Sequence, residues 1–521
     1  MSFRRFPLGP ALGRAALALL AACLARPACA TTYTITVTAD GVSTNGNCTL
    51  REAIRAAIND AAVDLCPAGS ASDTIVLAAP APYAFIAGEE VIWDEELTIE
   101  GATSAAGAHV IELGGNSRFL RIEGGSKVTL SRLTVRNGST LLAAQLEGGC
   151  LRVTGSDLTL RDAVISGCLA TRGGGLWFLS SGANQAVLER VTFLDNEARG
   201  TAASPSPDGG GAFVQLFGAG TATISGSLFQ ENRVASALSG SSTAGSGLVI
   251  STHDPEAEVT VRRSTWLGNE EESATGGQGT LTATIGSGLA LLEDLWITGN
   301  ASVSGSEPHS PVGLGLIVAG AASVELARLR LTGNTAVDGE GVQAEISVQA
   351  GGSLALRSVL VADGPRRGLD LYVTDVASAL LGHLTVTGHL ERGLFLSGFS
   401  TGALRLENSL LWNNGLVVAS DLVTTGTVDA DRLANHNWVG SLGDPHPQLV
   451  DPGSGNFDPQ PGSPLVDLGD RTFAAVDTRD ALGRPRVVGG ETDIGALEEP
   501  GLLFADGFES GDTSAWSQVV P

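Results

Sequence analysis

A short phrase that ends in asparagine recurs along this chain, and it constrains the fold more than any other feature. Each copy contains two or three apolar residues separated by small or polar ones. Seven copies end at Asn137, Asn196, Asn232, Asn269, Asn300, Asn334 and Asn414, and three more end at Cys168, Asp363 and His389. Successive copies end 25 to 37 residues apart. Self-similarity at this spacing predicts stacked supersecondary units rather than one closed globule.

The stretches around these positions have the pattern of short strands. In the segment 324–331, Val and Leu alternate with Glu and Arg, and a similar alternation recurs at 128–135. Period-two patterning with branched apolar residues predicts half-buried strands, and the Gly, Ser, Asn and Asp between them favour turns. The 69 glycines and the low aromatic content of 5% suit a narrow interior. We therefore predict an all-β fold, a parallel β-helix (solenoid) of roughly eleven or twelve coils.

The recurrent Asn itself has a structural interpretation. An Asn at one turn position of successive coils hydrogen-bonds to its neighbours above and below, and it tolerates left-handed backbone geometry. We therefore expect a column of these side chains along the rod. In this register Asp363 and His389 occupy successive places in the column, one coil apart, and two titratable groups would be neighbours there.

The segment that follows Cys48 predicts a helix that caps the open end of the solenoid. Thr49 and Glu52 have the spacing of a capping box, in which each side chain accepts from the backbone N–H of the other residue. The apolar residues on one face of this helix are Leu50, Ala53, Ile54, Ala57 and Ile58. Such a helix would cover the strand edges of the first coil, which otherwise invite aggregation.

The first 30 residues predict a secretory signal peptide. Three arginines precede the apolar run 15–24, and cleavage is expected after Ala30. The alternative is a lipoprotein signal that would lipidate Cys23. No segment has the ~20 uninterrupted apolar residues that a membrane span needs. We therefore expect a secreted or surface-displayed protein without a transmembrane segment.

Four cysteines remain after the signal: Cys48, Cys66, Cys150 and Cys168. In an oxidising compartment they predict two disulfides, for which three pairings exist. The pairing of Cys48 with Cys66 and of Cys150 with Cys168 is favoured, because each pair is 18 positions apart. A zinc site is the alternative, but the sequence has neither a Cys-x-x-Cys motif nor clustered His beside them.

The formal net charge of −25 excludes some classes of partner. An acidic exported protein is not expected to bind nucleic acid or anionic lipid electrostatically. Calcium is compatible with this charge, but the acidic runs at 254–258, 269–272 and 506–512 lack a regular calcium-binding pattern. The two runs at 254–258 and 269–272 are expected to be solvated turns, and no cofactor is predicted.

Both ends of the chain resemble the CSLREA-domain proteins, which are bacterial secreted right-handed parallel β-helix proteins. The N-terminal residues that carry the resemblance are 48–54 (CTLREAI), Asp64, Cys66 and 73–77 (DTIVL). The C-terminal segments 463–469, 480–485 and 493–498 are similar to a closing segment of the choice-of-anchor type. The resemblance implies a right-handed coil and a secreted or cell-surface location. It implies no reaction.

These observations divide the chain into four parts. They are a signal peptide (1–30), an N-terminal cap with the CTLREAI helix and the first coils (31–108), the parallel β-helix with its closing segment (109–499), and a C-terminal tail (500–521). The tail is similar to a short segment at the end of many exported proteobacterial proteins, and it is interpreted as a disordered or sorting tail.

The predicted fold is compatible with a catalytic site, because parallel β-helices include polysaccharide lyases and hydrolases. The Arg-x-Lys of polygalacturonases is excluded, since Lys127 is the only lysine. The nearest approximation to a lyase site gives the catalytic candidates Asp363, Arg366, Asp370, His389 and Glu391. Four tryptophans offer surfaces for stacking sugars, and packing is favoured for the last three: Trp177, Trp266, Trp296 and Trp412.

The sequence thus predicts an exported, non-catalytic and monomeric β-helix protein that takes part in adhesion or in carbohydrate or cell-envelope interaction. The alternative is a calcium-assisted polysaccharide lyase or a glycoside hydrolase on the same fold. Fold alone is weak support for a sugar ligand, because one fold hosts many functions.

Overall fold

A computed structural model describes residues 30–500, apart from 81, 105–106, 143–144, 239, 274–275, 304–309, 337–340, 416–419 and 474. Nearly the whole predicted signal peptide, the alternative lipidation site at Cys23 and all but one residue of the predicted tail lie outside the described residues. Within the described part of the chain, no helix is both long and apolar enough to cross a membrane.

Two columns of parallel strands, A and B, form one 22-stranded sheet. Column A contains Thr32–Ile35, Asp73–Leu77, Glu96–Gly101, Lys127–Ser131, Asp157–Arg161, Gln185–Glu189, Thr221–Ser225, Glu258–Arg262 and Leu404–Glu407. Column B contains Tyr83–Ala84, Val110–Glu112, Thr134–Arg136, Val164–Ser166, Thr192–Leu194, Leu228–Gln230, Thr265–Leu267, Leu410–Trp412 and Trp438–Val439. Four long strands belong to both columns: Leu289–Thr298, Ser323–Thr332, Ser353–Ala362 and Ser378–Thr387.

A further sheet, sheet C, has twelve parallel strands. They are Glu90–Trp93, Leu120–Glu123, Leu151–Thr154, Leu176–Leu179, Ala212–Leu216, Leu248–Thr252, Leu281–Ile285, Pro311–Val318, Val342–Val348, Arg367–Asp375, Arg392–Ser400 and Leu422–Gly426. A short sheet D contains Leu169–Ala170, Glu197–Arg199, Arg233–Ser236, Glu270–Ser273, Ala301–Ser302 and Thr335–Ala336. The chain passes through C, A, B and, where present, D in each turn, so the twelve strands of sheet C mark twelve coils. The prediction of a parallel β-helix is confirmed, and its right hand stays a prediction.

The interior of the coil is filled by the alternating apolar residues. Rings in successive coils stack inside it: Phe193 on Phe229 at 5.0 Å between centroids, and Phe229 on Trp266 at 5.2 Å. Because Trp266 is fully buried in this stack, its predicted packing role is confirmed. In parallel β-helices each coil thus adds its side chains to one continuous core.

The predicted capping helix is confirmed as α1, Leu50–Ile58. The Thr49 hydroxyl oxygen accepts from the Glu52 amide at 3.2 Å, and the Glu52 carboxylate accepts from the Thr49 amide at 2.9 Å. Of the predicted apolar face, Ile58 is only partly buried and the other four residues are buried. The helix contacts the strands Asp73–Leu77 and Glu90–Trp93, so it lies over the first coils as expected.

Both predicted disulfides are confirmed. Cys48 bonds to Cys66, and Cys150 bonds to Cys168. The first pair brackets α1, while the second joins the beginning and the end of one coil. Disulfides that close loops of this length stabilise a fold by about 3 kcal/mol.

A column of mostly buried residues, the majority of them polar, lies at the turn that follows column B. We call it the inner turn column, and its members are Gly138, Cys168, Asn196, Asn232, Asn269, Asn300, Asn334, Gly364, His389 and Asn414. The predicted Asn column is confirmed for its central members. The Asn232 side-chain amide donates to the Asn269 oxygen at 3.0 Å, and the Asn269 amide donates to the Asn300 oxygen at 2.8 Å.

Two predicted members of this column were placed wrongly by one residue. The strand register pairs Thr332 with Ala362, so Gly364 rather than Asp363 lies opposite Asn334. Asp363 is exposed in the left-handed region with a φ of 48°, and Asn137 is exposed with a φ of 60°. The turn has a left-handed residue followed by the buried one, and Asn and Asp suit both positions. Asp363 and His389 are therefore not neighbours within the column.

The C-terminal part of the chain, 440–499, folds back against the outside of column B. It begins with two short 3₁₀ helices, Gly440–Leu442 and Pro452–Ser454, and contains the antiparallel pair Leu449–Asp451 and Asn456–Pro459. We call 440–499 the closing segment. Its apolar residues form a second core with outward-facing residues of column B: Leu360, Ala362, Leu410, Trp438, Leu449, Phe457, Leu465, Ala481, Ile494, Ala496 and Leu497.

Candidate functional site

The predicted catalytic candidates do not form one exposed constellation. His389 is buried in the inner turn column, where its Nδ1 contacts the Pro365 carbonyl oxygen at 3.0 Å. Burial lowers the pKa of His389 to about 4, so this imidazole is neutral near pH 7. Asp363 lies in an exposed turn, and partial burial of its carboxyl raises its pKa. Neither side chain forms a hydrogen bond or an ion pair with the other three candidates, Arg366, Asp370 and Glu391.

The other three candidates lie together at the beginning of two neighbouring strands of sheet C. Arg366 pairs with Glu391 at 3.6 Å, and Arg367 pairs with the same carboxylate at 3.3 Å. Asp370 is fully buried, and its carboxylate accepts from the Nε of Arg392 at 3.1 Å. Two guanidinium groups thus share the Glu391 carboxylate, and Arg392 is the ion-pair partner of Asp370. A fully buried, paired Asp370 has no access to a substrate in this arrangement.

Asp370 belongs to a row of outward-facing residues that crosses sheet C. The strand register places Thr282, Gly315, Glu345, Asp370 and Phe395 side by side. Toward the N-terminal end the same row becomes aromatic and then cationic: Phe213, Trp177 and Arg152. The row therefore has an aromatic stretch, Trp177 and Phe213, between a cationic end at Arg152 and a polar part around Glu345.

A pocket of about 470 Å³ opens where the row becomes polar. Its lining is rich in Ser, Thr, Gln and Gly: Ser242, Gly276, Gly277, Gln278, Thr282, Ser310, Pro311, Gly315, Leu316, Ile317, Glu345 and Ser347. We call it the sheet C pocket. Its volume lies in the range of small-molecule sites, and hydroxyl and amide groups of this kind both donate and accept hydrogen bonds.

Glu345 supplies the charge of the sheet C pocket. Within the described residues its carboxyl has neither a hydrogen bond nor an ion pair, and the side chain is half-buried. Burial raises its pKa, the neighbouring Asp370 raises it further, and Arg367 opposes the shift. Glu345 was not predicted as a site residue from the sequence. The available signal was a single charged residue within the otherwise uncharged strand Val342–Val348.

Glu271 supports the wall of this pocket from inside. Its carboxylate accepts from the Thr243 hydroxyl at 2.8 Å and from the backbone amides of Gln278 and Gly279 at 3.0 Å each. A Cβ at Gly277 would lie 2.1 Å from the carboxyl carbon of Glu271, so only glycine fits there. Burial raises the pKa of Glu271 to about 7.

The run 269–272 was predicted to be a solvated turn, and this prediction is wrong for most of it. Residues 270–273 form a strand of sheet D, and the Glu271 side chain is directed into the coil because side chains alternate along a strand. Among the described residues, no group of three or more His, Cys, Asp or Glu is arranged to hold a metal ion.

The four tryptophans differ in their surroundings. Trp177 is nearly buried, with the Arg152 guanidinium 4.9 Å from its ring centroid. Trp412 is partly buried beside the second core, in edge contact with His446 at 5.5 Å. Trp296 faces outward and is 40% exposed, so its predicted role in packing is wrong.

No family model matches this chain, and no curated protein matches it. The CSLREA resemblance of its two ends therefore stays an expectation based on motifs. The case for a function depends on the geometry of the sheet C pocket and of the outward-facing residues around it.

Proposed function

We propose that this chain is an extracellular carbohydrate-binding β-helix protein that holds a hydroxyl-rich glycan in the sheet C pocket. The observation that supports it most directly is the pocket itself, an open site of about 470 Å³ lined by hydroxyl, amide and backbone groups around the Glu345 carboxyl, which has no partner among the described residues. Sugar hydroxyls both donate and accept hydrogen bonds, and this lining offers both partners.

The charge of the pocket narrows the class of glycan. Among the described residues of the lining, Glu345 alone has an ionisable side chain, and an ionised carboxyl can accept hydrogen bonds from two hydroxyls. The chain as a whole is acidic, with a formal net charge of −25. Like charges repel, so a neutral or amino sugar suits this pocket better than an anionic one.

An extracellular location is part of the same proposal. Two disulfides that join residues in the first third of the chain favour an oxidising compartment. The predicted signal peptide, with cleavage after Ala30, supplies the route of export. Adhesion to a cell-envelope polysaccharide is the role that follows, with the monomer as the binding unit.

The test is a glycan array with the purified mature protein, followed by titration of the best ligand. We expect binding of a neutral or amino-sugar oligosaccharide, and a rise in Kd of roughly tenfold or more for Glu345→Gln, because a carboxylate forms stronger hydrogen bonds than an amide. Glu325→Gln is a matched control, since Glu325 lies on column A, outside the lining. Equal binding by wild type and Glu345→Gln would contradict the proposal.

A polysaccharide lyase or glycoside hydrolase is the second candidate. It is favoured by one observation, the raised pKa of the Glu345 carboxyl in the lining of the pocket. Glycoside hydrolases use a carboxyl with a raised pKa as the general acid. Release of reducing ends or unsaturated uronates by the wild type, lost in Glu345→Gln, would establish this function. An inactive wild type across neutral and acidic polysaccharides, with and without calcium, would exclude it for those substrates.

A further inference from the structure

A second pocket lies on the other side of the rod, between column B and the closing segment. It has a volume of about 290 Å³. Strand residues and closing-segment residues line it together: Trp296, Arg330, Thr332, Leu360, Ser454, Gly455, Asn456, Phe457, Asp458, Leu482 and Leu497. We call it the column B pocket. Its size is close to the lower limit for ligand sites, which suits one small ring.

Arg330 is exceptional among the arginines of the described residues. Each of the others forms a hydrogen bond or an ion pair through its guanidinium with a carboxylate or another oxygen, including the exposed Arg263, which donates to the Ser225 hydroxyl, and Arg479, which donates to the Gly483 carbonyl. Arg330 has neither a hydrogen bond nor an ion pair there. Its guanidinium lies over the Trp296 ring, and the guanidinium carbon is 4.7 Å from the ring centroid.

The carboxylates nearest to Arg330 already have partners. Asp458 lines the same pocket, but its carboxylate is held by Arg484 at 2.7 Å. Asp294, whose charge acts on Arg330, is bound by the Nε of Arg328 at 2.5 Å. Five guanidinium donors without an acceptor, on a half-buried side chain, leave an uncompensated positive charge in an otherwise acidic protein.

The residues around Arg330 indicate the kind of anionic ligand that the column B pocket would bind. Trp296 is 40% exposed, and its indole N–H points to the Thr332 hydroxyl at 3.4 Å. Phe457 and Leu497 add apolar surface opposite. An exposed aromatic ring beside a free guanidinium suits a ligand with an apolar ring face and a planar anionic group, because the guanidinium fork matches a carboxylate bidentately.

We propose that the column B pocket binds an acidic sugar residue, with its carboxylate on Arg330 and its ring against Trp296. This site is distinct from the sheet C pocket, and its ligand is anionic rather than neutral or amino-substituted. A glycan that carries uronic acids would bind to the column B face, while neutral sugars bind to sheet C. Burial without a counter-ion lowers the pKa of Arg330, so an arriving carboxylate also relieves a desolvated charge.

The test is isothermal titration of the mature wild-type protein with hexagalacturonate, maltohexaose and a sulfated oligosaccharide of similar length. We expect hexagalacturonate to bind most tightly, with an affinity that falls as salt is added. Arg330→Gln should raise its Kd roughly ten- to hundredfold, which corresponds to the loss of a charged hydrogen-bonded pair. The Kd of Arg330→Lys for hexagalacturonate should lie between those of the wild type and Arg330→Gln, since lysine keeps the charge but cannot bind a carboxylate bidentately.

Arg263→Gln is the matched control, because it removes the same charge from an exposed position and should change Kd less than twofold. Thermal unfolding of each variant checks that the fold is intact. The proposal fails if Arg330→Gln binds hexagalacturonate as the wild type does, if maltohexaose binds equally well, or if none of the anionic probes binds. Preference for the sulfated probe would overturn the carboxylate assignment. Loss of hexagalacturonate binding in Glu345→Gln alone would move the acidic sugar to the sheet C pocket.

Discussion

The inner turn column and the outer row of sheet C both place polar side chains in register from coil to coil, but the two differ in how completely these side chains are hydrogen-bonded or ion-paired. Asn232, Asn269 and Asn300 are fully buried and bond to one another and to backbone carbonyls. Glu345 on the outer row has no such partner within the described residues. Buried polar groups are tolerated only when they are paired, whereas an unpaired group at the surface stays available for a ligand.

The comparison predicts that a substitution in the inner turn column affects stability and leaves binding unchanged. Asn269→Ala removes the acceptor for the backbone and side-chain amides of Asn232, at 2.9 and 3.0 Å, and also two donated hydrogen bonds. We expect a loss of ~3–5 kcal/mol in the free energy of unfolding, measured by denaturant titration. Asn137→Gly is the control and should cost less than about 0.5 kcal/mol, since glycine suits its left-handed turn. Equal losses would contradict the register described above.

The disulfide of the column offers a second test. Cys150 and Cys168 lie where Gly175 and Asn196 lie one coil later, with the Asn side chain packed against the Gly. Replacing both cysteines by Ser should lower the free energy of unfolding by about 3 kcal/mol. The double variant Cys150→Gly and Cys168→Asn should lose less free energy of unfolding than the double Ser variant, because the new Asn continues the hydrogen-bonded column. Equal thermal midpoints for the two double variants would count against this explanation.

His389 makes the column sensitive to acid. Its folded pKa is about 4, below the usual value near 6.5, so the unfolded chain binds the proton more readily between these pH values. Stability should therefore fall as the pH drops from about 6.5 through 4, by on the order of 2–3 kcal/mol. His389→Asn should remove this part of the pH dependence, while His253→Asn, at an exposed position, should leave it. An unchanged slope in His389→Asn would refute the assignment.

Gln343 tests how the column is repaired where it lacks a side chain. Gly364 occupies a column position, and Gln343 from sheet C fills the space: its oxygen accepts from the Asn334 amide at 2.8 Å, and its amide donates to the Ala362 carbonyl at 3.2 Å. Gln343→Ala should cost about 2 kcal/mol. Gly364→Asn alone should clash with Gln343, and adding Gln343→Gly should restore stability. Failure of the double variant to recover would show that the two positions are not equivalent.

Glu345→Gln should give the smallest effect on stability, within about 0.5 kcal/mol of the wild type, because the half-buried carboxyl has no partner to lose among the described residues. Its effect should appear in glycan binding instead. Glu345→Gln should therefore change the Kd for the glycan but not the free energy of unfolding, whereas Asn269→Ala should change the free energy of unfolding but not the Kd. A large loss of stability in Glu345→Gln would remove the distinction between the inner column and the outer row.

Much of the fold was predictable because the sequence repeats its physical constraints in every coil. The alternation in 324–331, the capping box of Thr49 and Glu52, and the two cysteine pairs each follow from local spacing. The site was predictable only in part. Arg366, Asp370 and Glu391 do lie on neighbouring strands, but Asp363 and His389 were misplaced, because a shift of one residue moves a turn side chain from the buried position to the exposed one.

The sequence by itself determined that this protein is a parallel β-helix with a helical cap and two local disulfides, since period-two patterning and turn residues act within a single coil. Tertiary structure alone decided which polar groups are left without partners. Glu345 and Arg330 are ordinary members of their strands in sequence, and their environments depend on residues 22 to more than 100 positions away, such as Arg367, Asp370 and Asp458. Stacking of coils and docking of the closing segment pair nearly all of the described arginines, while Glu345 and Arg330, which have no hydrogen bond or ion pair among the described residues, define the two proposed sites.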